Sequence, residues 1–120
     1  MTDDIEDFQV LAGSASFLYA ATSLGASGGV CALANVLGKE VVELFELTKS
    51  GNHEEAVKLQ KRLIAPNQAV TRVFGVPGLK TAMEAFDYDT GNLRSPLCEL
   101  NEDKKSKVLS AFTANNFNPK

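Results

Sequence analysis

Tryptophan is absent from this 120-residue sequence, histidine occurs once and cysteine twice. With His53 alone to supply an imidazole, neither a Cys/His metal cluster nor a Ser-His-Asp triad can be assembled, and no metal or cofactor is expected. Cys31 and Cys98 lie far apart without CxxC or CxxxH spacing, which reads as two reduced thiols in an intracellular protein. No run approaches the roughly 18 apolar residues of a membrane span. A basic excess is missing as well: 12 Lys and Arg face 15 Asp and Glu, for a net charge of −3. That balance argues against nucleic acid or an anionic membrane as the main partner. The acidic opening Met1-Thr2-Asp3-Asp4 is unlike a signal or transit peptide, so a cytoplasmic or mitochondrial location is expected, with any targeting segment elsewhere.

What is present is concentrated near the start. Phe8-Gln9-Val10-Leu11-Ala12 is a β-prone apolar run stopped by Gly13-Ser14, and Gly29-Val30-Cys31-Ala32-Leu33 is a second, entered through Gly28. Between them Ser14 can cap a helix reaching Leu24, with Phe17, Leu18, Ala21 and Leu24 on one face and Gly25 as its end. A helix of about three turns between two buried strands predicts a parallel, right-handed βαβ crossover, since antiparallel neighbours need only a tight turn. Two parallel strands alone leave two open edges. The residues thus predict the end of a larger α/β protein, or a sheet completed by another copy of the chain.

Residues 1–36 form this βαβ unit and residues 37–120 read as helical. Gly38 to Lys49 places Val41, Leu44, Phe45 and Thr48 on one face. Asn52 with Glu55 resembles a capping box opening a helix with Val57, Leu59, Leu63 and Ile64, which Pro66 should kink or interrupt. The apolar spacing resumes at Ala69, Val70, Val73 and Phe74. Gly75-Val76-Pro77-Gly78 is the next break, followed by a helix from Leu79 to Phe86 facing inward through Leu79, Ala82, Met83 and Phe86. Asn101 can cap a last helix with Val108, Leu109 and Phe112 inside, beyond which Asn115 to Lys120 should fray.

The Gly13-Ser14-Ala15-Ser16 turn falls at the carboxyl end of a parallel strand and opens a helix, where ligands of α/β folds gather. As a phosphate or nucleotide signal it is weak, lacking GxGxxG and a Walker lysine, and a structural turn explains it equally well. Asn35 at the end of the second run reads more readily as a turn former than as a ligand group. His53 reads as a solvated surface residue.

The strings LAGSASFL (Leu11 to Leu18), LGASGGVCALANVLG (Leu24 to Gly38), KLQKRLIAPNQAVTRVFGVPGLKTAME (Lys58 to Glu84) and RSPL (Arg94 to Leu97) carry more. In order and across nearly the whole chain, they resemble the C-terminal part of the 4-hydroxy-2-oxoglutarate aldolase branch of the dihydrodipicolinate synthase and N-acetylneuraminate lyase family. The resemblance implies the C-terminal portion of a (β/α)8 TIM barrel, its last two parallel strands, followed by a C-terminal helical region. It also implies a class I lyase that yields pyruvate and glyoxylate through a lysine Schiff base, working on a small 2-oxo acid as a homo-oligomer, a tetramer in the family.

On that resemblance, the Schiff-base lysine, the proton-relay tyrosine and the carboxylate-binding loop all precede Met1, so no catalytic residue is assigned to this chain. What carries over is Gly13 at the rim of the seventh strand, with Ser14 and Val30 at the same mouth, as substrate-binding positions. The isolated chain is therefore expected to be inactive, a non-catalytic structural or subunit-association module being the alternative. Helices facing the absent barrel would expose stripes such as Val41, Leu44 and Phe45, predicting marginal folding or association.

Overall fold

Leu11–Ala12 (β1) and Gly28–Gly29 (β2) pair in parallel, Leu11 opposite Gly28 and Ala12 opposite Gly29. The computed structural model describes residues 7–119; the acidic Met1–Asp4 opening and Lys120 lie outside the described residues. Between the strands the chain makes a 3-10 turn, Ala15–Phe17, and a short helix α1, Leu18–Ser23, closing the expected βαβ crossover. Ala12, Leu18 and Cys31 are buried between strands and helix. The approach is tight at Gly29, where a Cβ would lie 2.9 Å from Leu18 Cδ1 and 3.1 Å from the Ala12 carbonyl oxygen. Glycine is therefore required there by proximity rather than by backbone angle.

Both strands are shorter than their apolar runs predict. The ladder continues only through Ser27 N–H to Val10 O at 2.9 Å and Val30 N–H to Ala12 O at 2.8 Å. Phe8, Val10 and Leu11 stay exposed, because no neighbouring strand covers them. After Val30 the second run leaves the sheet and coils into a 3-10 turn, Ala32–Asn35, which buries Leu33. A short apolar run fits a buried helical turn as readily as a strand, and the carbonyls of Cys31 and Leu33 receive the amides of Ala34 and Val36 here.

The crossover helix is corrected too. Phe17 and Leu24, expected inside, are exposed, Leu24 at 81%; the buried stripe runs through Ala15, Leu18 and Thr22 instead. The 3-10 start advances the chain by fewer residues per turn than an α-helix, so the inward positions are rephased. Gly25 does end the helix, at φ +99°.

Helix α2, Gly38–Lys49, occupies the predicted span and buries Val41, Leu44 and Thr48. This overturns the expected exposed stripe at Val41, Leu44 and Phe45. Helix α2 packs against α1 and against α3, His53–Gln68, which together cover that face. Asn52 precedes α3 but makes no side-chain capping bond, its backbone at φ −78° and ψ 66° lying outside the extended N-cap geometry.

Pro66 does not break α3, which continues to Gln68 and then widens into a π turn, Ala69–Val73, with Phe74 N–H reaching Ala69 O at 3.2 Å. Helix α4 begins at Gly75 rather than Leu79 and runs to Ala85, Gly75 at φ +57° making the turn and Pro77 lying in the first helical turn. Helix α5, Glu102–Thr113, is capped as expected, Asn101 Oδ1 accepting from Lys104 N–H at 3.0 Å. Its Val108 and Phe112 are fully buried, Phe112 meeting Phe86 at 5.6 Å between ring centroids.

The following residues do not all fray. Arg62 Nε donates to Asn115 O at 3.1 Å, its guanidinium lies 4.4 Å from the centre of the Phe117 ring, and Phe117 is buried. Among the described residues no helix is long and apolar enough to cross a membrane.

Candidate functional site

Parallel register places the site. Since Ala12 faces Gly29, the next residues, Gly13 and Val30, leave the two strands side by side at their carboxyl ends. Gly13 is exposed and a Cβ there would meet nothing within 4 Å, so its α-carbon faces open space. Val30, anchored by its amide to Ala12 O, turns an isopropyl group 73% exposed toward solvent. Ser14, in extended conformation at φ −159° and ψ 142°, caps the 3-10 turn by accepting Ser16 N–H at 3.3 Å. The three sequence-selected positions therefore cluster on one rim.

Two residues that sequence reasoning passed over hold this rim from behind. Gln60 Nε2 donates to Ala15 O at 2.8 Å, while Gln60 Oε1 accepts Tyr19 N–H at 2.9 Å. Asn67, two helical turns further along α3, donates from Nδ2 to Ser14 Oγ at 2.9 Å and to Ser16 Oγ at 2.7 Å. Both amides are buried. Their signal was present in the spacing: Ala56, Gln60, Leu63 and Asn67 recur at helical intervals, so two uncharged amides lie on an otherwise apolar stripe. Buried amides need partners, and the backbone and hydroxyls of the rim supply them.

Asn35 acts as a turn former, Nδ2 donating to Ala32 O at 3.0 Å. His53 is exposed as expected, its Nδ1 3.4 Å from the Tyr19 hydroxyl. Among the described residues no group of three or more His, Cys, Asp or Glu could hold a metal ion.

Two of the lysines are unlike an imine-forming amine. Lys58 and Lys105 lie on the helical surface, where hydrogen bonds to Glu54 and Glu55, and to Glu102, hold their ammonium groups above the ordinary value of 10.5. A Schiff-base lysine needs the opposite direction, since only the neutral amine attacks a carbonyl.

A helix-joined parallel strand pair with its loops at the carboxyl rim, followed by a helical stack, is the C-terminal portion of a (β/α)8 barrel with its added helices. The chain belongs to the dihydrodipicolinate synthetase family, whose model matches residues 2–115. It is 30% identical over 109 residues to the 4-hydroxy-tetrahydrodipicolinate synthase of Methanococcus vannielii, covering 91% of this chain and 38% of that relative. Its fold superposes on a crystal structure of dihydrodipicolinate synthase from Bacillus anthracis with a TM-score of 0.84 at 27% identity, over 91% of this chain and 37% of the other. N-acetylneuraminate lyase from Proteus mirabilis gives 0.80 at 27% identity, over 97% and 39% of the two chains. The chain thus spans little more than a third of the length of these relatives.

Proposed function

We propose that this chain forms the seventh and eighth strand-helix units, with the C-terminal helices, of a class I aldolase that cleaves 4-hydroxy-2-oxoglutarate to pyruvate and glyoxylate. On this reading residues 1–36 supply the two strands, while α2 is the last barrel helix and the remaining helices form an added layer. Gly13, Ser14 and Val30 border the substrate. The reading is supported above all by the rim, where an uncluttered Gly13, a serine hydroxyl and an exposed Val30 meet at the carboxyl ends of adjacent parallel strands. That is where barrel enzymes hold their substrates. The choice of 4-hydroxy-2-oxoglutarate rests on the strings LAGSASFL and GGVCALANV together with the resemblance they carry.

The reactive amine belongs to strands that precede this segment, so the 120-residue chain by itself is catalytically silent. It closes the sheet beside strands six and one, and the completed barrel works as a homo-oligomer. The exposed Phe8, Val10 and Leu11, before and within β1, favour cover by the rest of such a barrel. Borohydride reduction in the presence of pyruvate tests the proposal. The completed barrel is expected to gain a stable covalent adduct and the isolated chain none. An adduct on this chain alone would place the reactive amine among its nine lysines and overturn the assignment.

A further inference from the structure

We infer that Asn67 is a positioning residue: it aims the hydroxyl protons of Ser14 and Ser16 into the rim as donors to the second carboxylate of 4-hydroxy-2-oxoglutarate, the one remote from the 2-oxo acid end that pyruvate shares. The inference rests on the substrate lying at this rim, as proposed above, and adds what recognises it and what fixes that recognition.

Hydrogen-bond valence fixes where both hydroxyl protons can go. An amide nitrogen carries two protons, and Asn67 Nδ2 directs them to Ser14 Oγ at 2.9 Å and Ser16 Oγ at 2.7 Å. Ser14 Oγ also accepts Ser16 N–H at 3.3 Å. A hydroxyl oxygen has two lone pairs and one proton, so Ser14 has both lone pairs engaged and its proton restricted to the remaining direction, away from the amide. Ser16 has one lone pair engaged on the same side. Among the described residues neither hydroxyl donates to a protein acceptor, and both serines remain partly exposed. The result is a pair of donors held in one orientation, a match for an anionic oxygen.

A packing role does not account for the residue. Asn67 is 1% exposed and its Oδ1 is buried with no partner. An apolar side chain would fill the same space without leaving an acceptor unsatisfied. One residue beyond it, after Gln68, α3 widens into the π turn Ala69–Val73, a local expansion that recurs at functional sites.

The test uses the completed barrel and two variants. Asn67→Asp keeps the shape but replaces the donor with an acceptor, so the serine protons turn inward and the rim loses both donors. Asn67→Ala leaves the hydroxyls free to rotate, so the donors persist without alignment. For 4-hydroxy-2-oxoglutarate, KM is expected to rise about tenfold or more in Asn67→Asp and by a smaller factor in Asn67→Ala. The value of kcat should stay within about twofold of the parent, as for an interaction made equally in ground and transition states. A structural role would instead appear as lost ellipticity and lowered kcat in both variants, because burying a carboxylate or emptying the site disturbs the fold rather than KM alone.

Borohydride trapping with pyruvate separates the two levels of the argument. No adduct in the parent barrel would overturn the aldolase reading and this inference with it. An intact adduct with unchanged KM in Asn67→Asp would overturn the inference alone. Failure of both variants to reach the parent's ellipticity would assign Asn67 to folding and likewise overturn it.

Discussion

The crossover through Val36 and the helices after it differ in how far each satisfies its own apolar surface. Among the helices, Leu44, Leu63, Val108 and Phe112 are fully buried in a core that also takes in Leu18 and Leu33 of the crossover. In the crossover, Phe8, Leu11, Phe17, Leu24 and Val30 are large, apolar and wet. Parallel strands acquire partners on both edges and cover on both faces, whereas helices can cover one another locally. The helical region therefore carries most of the stability present in this chain, and the crossover carries a rim whose surroundings come from elsewhere.

That contrast is broken most severely by emptying the helical core. Phe112→Ala removes a fully buried ring in contact with Phe86 and is expected to cost about 3–5 kcal/mol. Val30→Ala trims a side chain that is mostly in water and should change stability by less than about 0.5 kcal/mol. Urea denaturation of the two variants compares them directly. Equal losses would mean that the strands contribute as much as the helices.

Glycine substitutions sharpen the comparison at the next level. A Cβ at Gly78 would lie 2.6 Å from Phe74 Cβ and 3.0 Å from Ala69 O, and one at Gly29 would meet Leu18 and the Ala12 carbonyl. Gly78→Ala and Gly29→Ala should each cost about 1–3 kcal/mol by overpacking. Gly13→Ala meets open space and should leave the unfolding midpoint nearly unchanged, while lowering aldolase turnover in the completed barrel. A large stability loss at Gly13 with unaltered specific activity would make that glycine structural.

Parallel pairing, the crossover and the presence of five helices were legible in apolar spacing and flanking turn residues, although the crossover helix was rephased and α4 begins four residues before its expected start. The lost strand residues were not legible, since Val30-Cys31-Ala32-Leu33 has no periodicity that separates a strand from a 3-10 turn. The Gly13-Ser14 turn could be marked from a strand end, whereas Val30, read as lying inside the second apolar run, was marked only through the family resemblance. Gln60 and Asn67 escaped because their importance is relational: nothing local pairs Asn67 with Ser14, 53 positions away. Pro66 does not interrupt the helix, as its helix-breaking preference is overridden by the packing of a residue that the fold buries.

Helix caps offer a smaller contrast, between two asparagines that look alike in sequence. Asn101 accepts Lys104 N–H, so Asn101→Ala should cost about 1 kcal/mol. Asn52 makes no such bond, and Asn52→Ala should fall within about 0.5 kcal/mol of the parent. Thermal unfolding of the pair decides whether the bond, and not the residue type, carries the effect.

The smallest expected effect belongs to the thiols, one in each part of the molecule. Cys98 is exposed, whereas Cys31 is buried beneath the crossover, and burial raises its pKa above the ordinary value of 9.0 because a thiolate there would lose its hydration. A disulfide reagent at neutral pH should therefore titrate Cys98 promptly and Cys31 only after unfolding. The same shift fixes the sign of a pH dependence. Below pH 9 both folded and unfolded chains hold the Cys31 proton, and stability is unaffected. Above it the unfolded thiol ionises while the folded one resists, so the unfolded chain binds fewer protons and stability falls as pH rises. Comparing the parent with Cys31→Ala isolates this contribution: the difference between their urea midpoints should shift in favour of the variant on passing from pH 8 to pH 10. A constant difference across that interval would show that the crossover opens often enough to hydrate the thiolate, and would place β1, β2 and α1 among the least stable parts of the chain.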